Sequence, residues 1–515
     1  MVRALTNSPK AVSAGQPFGL AAALAVFVVL ATANGGMYRY GVSDQAFYIP
    51  VVTRALDPAA FPRDAALIDA QGQLMLSDEA LALLVRTTGA SLDALFLGGY
   101  LLSLVLIFAG LAGIGRRLYA NPWTTLALAA AFTLRHHITR TSANTFEPYF
   151  HPRMLAFGVG LLAVAAFLHR RPWLAVALVA VSAAVHTTTA MWFAVLVGVA
   201  LVVTERWWRR IAIPAALIGA AVAAWAVLAG PMRGRLVVMD AIWLQAVASK
   251  DSLFATEWPF SAWAVNLGTL GLLWIAYRFR SGRGQTGAEE RGLVWGATAL
   301  VALFLITLPA VAAHVAFPVQ LQISRVFWLV DLVATVVIVG AVAEAAWLGS
   351  RWRPALAACL VALAAGRGGY ILFVEHPERP LFRFHLEDSP WNDAMRFVAT
   401  LPKDALVLAD SGHAWRYGTS VRVSAGRDVF LEETKDSAVA IYSRDVAVRV
   451  VERIRALGDF STRTPEDIVR LGEQYGVTHV ATEGHLPLPP VFENTRFRVY
   501  ALPPPIRLAG AAAAR

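Results

Sequence analysis

Long apolar runs recur along the first 373 positions of the chain, and short polar segments separate them. A helix that crosses a bilayer needs about 20 apolar residues, and the runs approach or reach that length. The third to sixth runs are shorter and could instead be re-entrant segments. The pattern predicts eleven spans, near residues 18–34, 93–115, 122–139, 154–168, 173–187, 189–204, 211–229, 260–278, 293–313, 326–347 and 354–373.

From residue 374 onward the pattern changes to that of a soluble domain. Strands are predicted by three short segments, at residues 404–410, 477–482 and 497–502. Thr464-Pro465-Glu466-Asp467 has the N-cap, the first-turn proline and the acidic residues of a helix start, and Gly476 is placed to end that helix. We therefore predict a membrane domain over residues 1–373 and a soluble α/β domain over residues 374–515.

The composition agrees with a membrane protein. Hydrophobic residues make up 57% of the chain and charged residues only 16%, whereas soluble domains carry about a quarter charged residues. The net charge is +10, but the basic residues lie in short clusters between apolar runs. Such clusters indicate orientation in a membrane and not nucleic-acid binding. The single cysteine, Cys359, lies in an apolar run, so neither a disulfide framework nor a thiol metal site is expected.

The positions of the basic clusters predict the sidedness of the chain, because cytoplasmic loops are enriched in Lys and Arg. With the N-terminus in the cytoplasm, an even number of crossings separates each cluster from the next. The clusters are Arg116-Arg117, His169-Arg170-Arg171, Arg206 with Arg209-Arg210, residues 278–283, and Arg351 with Arg353. Eleven crossings of the plasma membrane then place the soluble domain outside, together with the long connections at residues 35–92, 135–153 and 230–259.

The first candidate site follows the first span, in Tyr40-Gly41-Val42-Ser43-Asp44-Gln45-Ala46-Phe47-Tyr48. Asp44 would lie at the membrane interface, where partial desolvation raises the pKa of a carboxyl group toward that of a useful general base. Apolar residues follow at helical spacing, so Ser43 or Asp44 could instead cap a helix. The residues alone leave both interpretations open.

The second candidate site combines Arg135-His136-His137-Ile138-Thr139-Arg140 with Glu147-Pro148-Tyr149-Phe150-His151-Pro152-Arg153. Arginines beside histidines could hold a phosphate through charge-assisted hydrogen bonds. Glu147 and His151, with His136 or His137, could instead ligate a divalent cation, although the two prolines argue against a regular helix. Solvation at the interface is a third explanation.

Two further polar segments interrupt apolar runs. In His186-Thr187-Thr188-Thr189, polar groups stand within a membrane segment, where they are costly, so a functional role is one explanation. The other is the turn of a hairpin whose threonines bond to nearby carbonyls. Arg325, near His314, Gln320, Gln322 and Ser324, breaks the positive-inside trend. It could face an anionic partner, or it could reach lipid phosphates at the interface.

The span pattern and these motifs resemble the GT-C superfamily of polytopic glycosyltransferases, over roughly residues 20–330, with a looser similarity in the soluble tail. In that family the first outer loop carries an essential acid just after the first span, and Asp44 matches it. The segments around His151 and His186 and residues 322–325 are similar to those of uncharacterised bacterial members. Many relatives carry a second acid close to the first, whereas Gln45 and Ala46 follow here, which puts metal dependence in doubt.

The resemblance implies inverting transfer of a sugar from a polyprenyl-phosphate-linked donor to a glycan, lipid or protein acceptor on the outer face of the membrane. Asp44 would be the general base. The donor phosphate would be bound by Arg153, Arg325, His151 and His186. The other candidate contacts, to the acceptor or elsewhere in the site, are Gln45, Tyr48, His136, His137, Arg140, Glu147 and Tyr149. No residue is assigned to a metal, and a divalent cation is the one cofactor left open.

The resemblance also gives the first outer loop a role, because amphipathic stretches at residues 45–56 and 77–86 would lie on the membrane and roof the acceptor cleft. Two other functions fit the same pattern. A lipid-linked glycan ligase or polymerase needs the same outer arginines and histidines. A lipid or solute transporter also has many spans, but its site lies near the midplane between related halves. Here no convincing internal repeat is found, and the polar residues collect at one face.

Overall fold

The computed structural model describes residues 16–72, 75–134, 137–230, 232–345 and 349–503. Up to residue 375 the chain is mainly helical. Its helices are α1 (Gln16–Asn34), α2 (Gln45–Leu56), α3 (Ala65–Gly72), α4 (Ser77–Thr88), α5 (Leu92–Leu118), α6 (Pro122–Leu134), α7 (Pro152–Leu168), α8 (Pro172–Val185), α9 (Thr187–Thr204), α10 (Arg206–Leu228), α11 (Ala241–Val247), α12 (Phe260–Ser281), α13 (Ala288–Ala312), α14 (Ala316–Gln320), α15 (Val326–Ala343) and α16 (Trp352–Tyr370). Its strands are β1 (Tyr38–Arg39), β2 (His137–Ile138) and β3 (Ala143–Asn144).

Seven helical stretches of the described chain are long and apolar enough to cross a bilayer. They are Leu92–Leu118, Thr187–Thr204, Arg206–Leu228, Phe260–Ser281, Ala288–Ala312, Ala316–Ala343 and Trp352–Glu375. Four further apolar helices are shorter, at Gly19–Asn34, Pro122–Leu134, Pro152–Leu168 and Pro172–Val185. The chain is therefore a mostly helical, polytopic membrane protein. Each of the eleven predicted runs coincides with a helix, but only seven of the described helices meet both criteria for crossing.

Several helix ends differ from the predicted spans. The helices α10 and α13 begin at Arg206 and Ala288, each five residues before the predicted boundary. Arg and Glu are good helix formers, so a helix continues past the apolar run that marks it in the sequence. The helix α6 ends at Leu134 and not near residue 139, because β2 pairs antiparallel with β3 there.

Residues 376–503 contain a small α/β segment. Its helices are α17 (Pro390–Val398), α18 (His413–Arg416), α19 (Val421–Ser424), α20 (Glu433–Ala440), α21 (Arg444–Leu457) and α22 (Pro465–Tyr475). Its strands are β4 (Phe382–Arg383), β5 (Leu406–Leu408), β6 (Asp428–Val429), β7 (His479–Thr482), β8 (Pro490–Glu493) and β9 (Arg498–Ala501). Five of them form a sheet in the order β6-β5-β7-β9-β8, in which β5 is parallel to both β6 and β7, and β9 is antiparallel to both β7 and β8.

The sequence predictions for this segment are confirmed in their main features. All three predicted strands are present, as β5, β7 and β9. The helix α22 begins with a capping box between Thr464 and Asp467, and it ends at Gly476 in the left-handed conformation. The strands β6 and β8 were not predicted, because β6 has only two residues and β8 begins with a proline.

The connection between α1 and α5 contains the two predicted amphipathic helices, α2 and α4. The first eight residues of α2 are all buried, and α2 packs against α3, α4 and α19. The prediction that residues 45–56 lie on the membrane surface is therefore wrong for α2, which lies inside the protein. The helix α4 is different, because it exposes Leu83 and Leu84.

The α/β segment is fixed to this connection by strand pairing and by a buried carboxylate. The strand β1 is parallel to β4, with Tyr38 opposite Phe382. The carboxylate of Asp64 is completely buried and accepts a hydrogen bond from Nε of Arg422 at 2.7 Å, and Arg449 also contacts it. Burial alone raises the pKa of Asp64, but these arginines outweigh burial and hold the pKa below its usual range.

Asp64→Ala is expected to destabilise the contact between the α/β segment and the membrane part by about 3–5 kcal/mol, because it leaves the buried Arg422 with fewer carboxylate partners. The measurement is thermal unfolding and limited proteolysis of the purified protein. Asp69→Ala is the control, since Asp69 lies in the same connection but pairs with Arg54 at the surface. Equal behaviour of the two variants would show that Asp64 does not hold the segment.

Candidate functional site

A cavity of about 380 Å³ lies where the connections of the membrane part meet the α/β segment. Residues from distant parts of the sequence form its walls. From the predicted candidates it contains Asp44, Tyr48, His151, Arg153, His186 and Arg325, and from elsewhere it contains Arg235, Lys250, Ser252, Phe317, Ala438 and Tyr442 among others. The structure thus brings together the general-base candidate and all four phosphate-binding candidates.

Asp44 faces this cavity because the backbone turns sharply before α2. Gly41 and Ser43 both have positive φ, at 83° and 53°. Asp44 occupies the N-cap position of α2, yet its side chain makes no capping hydrogen bond. The carboxylate instead lies 2.7 Å from Nζ of Lys435 and 3.5 Å from Nε2 of His151. The capping interpretation therefore describes the position of Asp44 but not the contacts of its side chain.

The predicted rise in the pKa of Asp44 is wrong for this arrangement. Burial does raise the pKa, as expected. The positive charge of Lys435 and the hydrogen bond from His151 outweigh it, so the pKa of Asp44 lies well below its usual range and the group is ionised. Lys435 belongs to α20, 391 residues away along the chain, so no local pattern around Asp44 could have revealed it.

His151 is a neutral hydrogen-bond donor to Asp44. Its Nδ1 accepts the backbone N–H of Arg153 at 3.0 Å, which leaves the proton of the neutral ring on Nε2. Burial, together with the positive charges of Arg153 and Arg325, lowers the pKa of His151 to about 4. Its Nε2 also lies 3.5 Å from the hydroxyl of Tyr48. His151 can therefore orient Asp44 but is not an acid near neutral pH.

The guanidinium of Arg153 is already neutralised inside the protein. Its Nη2 lies 2.7 Å from the carboxylate of Glu147, and both side chains are buried. Asn144 donates a further hydrogen bond to Glu147 at 3.2 Å. Glu147 thus holds Arg153 in place and does not line the cavity. A phosphate would have to share Arg153 with this partner.

Arg325 has the opposite character, because its charge is not compensated by the described part of the protein. It is the last residue of a short 3₁₀ turn, Ile323–Arg325, which begins after Gln322 in the left-handed conformation. The side chain lines the cavity, its Nε is buried without a hydrogen-bond partner, and no ion pair to it is found among the described residues. A half-buried cation of this kind indicates an anionic ligand.

The segment around His186 forms the break between α8 and α9 and also reaches the cavity. Its Nδ1 accepts the backbone N–H of Thr189 at 3.3 Å and so caps α9 at the break after α8. The same ring lines the cavity, with its centroid 6.2 Å from that of His151. By the same argument as for His151, the neutral ring carries its proton on Nε2 and can donate it to a ligand.

The other predicted contacts in the described ranges do not line the cavity. Gln45 is buried and bridges the backbone of Gly41 and Phe150, and Tyr149 is buried with its ring stacked beside His151. His137 bonds to Asn144 on the surface, and Arg140 pairs with Asp251. His136 lies outside the described residues. No group of three or more potential metal ligands is found within the described ranges.

Sequence reasoning missed the lysines of the site. The chain has four lysines beside 41 arginines, and two of the four, Lys250 and Lys435, meet near Asp44. Nζ of Lys250 donates to the carbonyl of Thr434 at 2.8 Å, and burial, followed by the charge of Lys435, lowers its pKa. The rarity of lysine was the one signal in the sequence, and it does not indicate which carboxylate Lys250 and Lys435 approach.

The fold and the cavity together define a polytopic membrane protein with a polar site at one end of its helices, closed by an α/β segment. Tyr442 and Ala438 of that segment line the cavity directly, and Tyr442 accepts a hydrogen bond from Gln322 at 2.8 Å. No protein-family model and no curated protein matches this chain.

Proposed function

We propose that the chain is a glycosyltransferase of the GT-C type that moves a sugar from a polyprenyl-phosphate-linked donor to an acceptor hydroxyl on the outer face of the membrane. One observation carries the proposal: an ionised carboxylate, Asp44, and an uncompensated cation, Arg325, face the same cavity. Transfer from a sugar phosphate needs both a group that accepts a proton and a group that stabilises the departing phosphate.

The walls of the cavity suit a lipid phosphate. The cavity is lined by Arg325, Arg235 and the two histidines, and also by apolar side chains. The apolar residues include Met75, Met191, Met232, Phe317 and Leu321. Methionines adapt to irregular apolar chains, so these side chains would receive the first part of a polyprenyl chain. The phosphate would lie against Arg325, which offers a planar fork of donors.

The proposed reaction is a single displacement at the anomeric carbon. The acceptor oxygen forms the new bond to that carbon while its proton passes to Asp44. The bond from the carbon to the phosphate oxygen breaks, and its electron pair leaves with the phosphate. Arg325 and the Nε2–H group of His186 stabilise the charge that develops there. Because the acceptor enters opposite the leaving group, the anomeric configuration inverts.

Lys435 would control how basic Asp44 is. In the structure its ammonium group pairs directly with the carboxylate. An acceptor hydroxyl needs the same oxygen, so Lys435 must move back as the acceptor enters. The loss of that contact raises the pKa of Asp44 and makes it a stronger base at the moment of transfer.

The proposed topology has eleven crossings with the N-terminus in the cytoplasm. It counts the seven long apolar helices and the four shorter ones as spans. Three of the shorter helices, α6, α7 and α8, adjoin the connections that carry the candidate site residues, and short spans with polar ends leave room for a water-filled cavity. A reporter fused at the C-terminus is then active only outside the cytoplasm.

Lys435→Met is expected to move the acidic limb of the pH profile of kcat/KM to higher pH by about 1–3 pH units. Lys435 is the largest influence that lowers the pKa of Asp44. Without it Asp44 is protonated at a higher pH, and only the ionised form accepts a proton. Lys403→Met is the control, since Lys403 pairs with Asp57 on the surface. An unshifted limb would contradict the role of Lys435.

Membranes from cells that produce the protein provide the first test. They are incubated with polyprenyl-phosphate sugars that carry a radiolabel in the sugar, beside membranes from cells without it. The proposal predicts label in new glycosides only where the protein is present. A ligase or polymerase would instead move preassembled oligosaccharides and ignore the monosaccharide donors. A transporter would carry the intact donor across vesicles without forming a glycoside.

A further inference from the structure

A second cavity lies next to the first. Its volume is about 640 Å³, and it is bounded by the end of α1, the end of α16 and the α/β segment around Trp415. Ser43 and Lys435 line this second cavity, whereas Asp44 lines the first. Nζ of Lys435 lies 2.7 Å from the Asp44 carboxylate and 3.3 Å from the Ser43 hydroxyl. The ion pair of Asp44 with Lys435 therefore stands at the boundary between the two cavities.

The second cavity is rich in cations. Arg39, Arg367, Arg379 and Lys435 line it, opposed by Glu375 and Glu432. Three of these cations have partners: Arg367 bonds to Asn34, Arg379 lies 3.1 Å from Glu378, and Lys435 pairs with Asp44. Arg39 is the remaining cation of this lining, and it differs from the other three.

Arg39 is the cation without a partner. Its Nε is buried with no hydrogen bond, and no ion pair to its side chain is found among the described residues. Burial, followed by the charges of Arg379 and Arg383, lowers its pKa to about 10, against a smaller opposing effect of Glu387 and Glu378, so it stays protonated at neutral pH. These two carboxylates form their ion pairs with Arg383 and Arg379 instead. A partly buried cation without an ion pair of its own is costly unless a ligand supplies the negative charge.

Trp415 gives the same cavity an aromatic surface. Its side chain is 86% exposed, although indole rings are large and mostly apolar and are usually well buried. An exposed ring beside polar groups offers a flat face for the C–H groups of a sugar ring, and the polar groups can bond to its hydroxyls.

We infer that the second cavity binds the acceptor, and that the acceptor is a saccharide bearing a phosphate or carboxylate group, with Arg39 on the anionic group and Trp415 on the sugar ring. This inference rests on the proposed function and names its second substrate class. A saccharide bound there places a hydroxyl next to Lys435. The anionic group draws the ammonium of Lys435 toward itself, and the hydroxyl then donates its proton to the freed Asp44 carboxylate.

The test is binding, so it does not depend on transfer. Purified full-length protein in neutral detergent is titrated with glucose 6-phosphate, with glucose and with phosphatidylinositol. Glucose 6-phosphate is expected to bind about tenfold more tightly than glucose, as one charge-assisted contact requires. Arg39→Gln removes that preference, and Trp415→Ala weakens the binding of both sugars. Tighter binding of phosphatidylinositol than of glucose 6-phosphate would identify a lipid headgroup as the source of the anion. Tighter binding of glucose 6-phosphate would identify a soluble sugar phosphate as its source.

Arg383→Gln is the matched control, because Arg383 lies near Arg39 but pairs with Glu387 at 2.6 Å. Arg39→Lys checks for misfolding, since it keeps the charge and should retain part of the preference. Equal binding of glucose and glucose 6-phosphate to the wild type, or a preference that survives Arg39→Gln, overturns the inference. If the preference follows Arg39 while no transfer occurs, the proposed function fails and the anion site stands.

Discussion

Asp44→Asn is expected to lower the rate of sugar transfer by about 100- to 10,000-fold, the range over which a positioned general base acts. The amide keeps the size of the carboxylate but cannot take the proton of the acceptor. Donor affinity should change little, because the donor phosphate is assigned to Arg325 and not to Asp44. The measurement is kcat with the labelled donor, together with donor binding to the purified variant.

Asp57→Asn is the control for this variant. Asp57 lies at the end of α2, on the surface, where it pairs with Lys403. It should transfer sugar at the wild-type rate. Thermal unfolding of both variants separates loss of chemistry from loss of structure, since Asp44→Asn also removes the ion pair with Lys435. A folded Asp44→Asn variant with wild-type kcat would show that the base is a different group.

Arg325→Ala is expected to weaken donor binding by about 30-fold or more, or about 2 kcal/mol, as for the loss of one partner of a buried charge pair. Arg325 forms no ion pair within the described part of the protein. The substitution therefore breaks no ion pair there, whereas the donor phosphate loses its cationic partner. The donor affinity of Arg325→Lys should lie between that of the wild type and that of Arg325→Ala, because lysine keeps the charge but loses the planar fork.

Arg140→Ala provides the comparison for Arg325. The sequence placed Arg140 in the candidate site, but it pairs with Asp251 away from the cavity. Donor affinity should therefore be unchanged in Arg140→Ala. Equal effects of the two substitutions, or unchanged affinity in Arg325→Ala, would remove Arg325 from the phosphate site.

The helices could be predicted from the sequence because their signals are local. A run of apolar residues favours a helix wherever it folds, and each predicted run coincides with a helix, although only seven described helical stretches are long and apolar enough to cross a bilayer. The same holds for α22, whose capping box at Thr464 and left-handed Gly476 are set within one segment. The first residues of α10 and α13, Arg206 and Ala288, were missed because each helix begins several residues before its apolar run.

The electrostatics of the site could not be predicted, because they depend on contacts between distant segments. Asp44 was expected to have a raised pKa, but Lys435 reverses the direction from the far end of the chain. Glu147 was a candidate contact, but it neutralises Arg153. Arg39 was not considered at all, since an isolated arginine in a sequence gives no sign that it will lack a partner.

The most direct test of the central proposal uses purified protein in lipid vesicles and a donor labelled separately in its sugar and its polyprenyl chain. An extract of bacterial envelope glycans and lipids supplies the acceptor. The account predicts that wild-type protein releases one polyprenyl phosphate for each sugar transferred, and that Asp44→Asn releases almost none. If the two labels stay joined at the rate seen in protein-free vesicles, the protein is not a transferase of this kind.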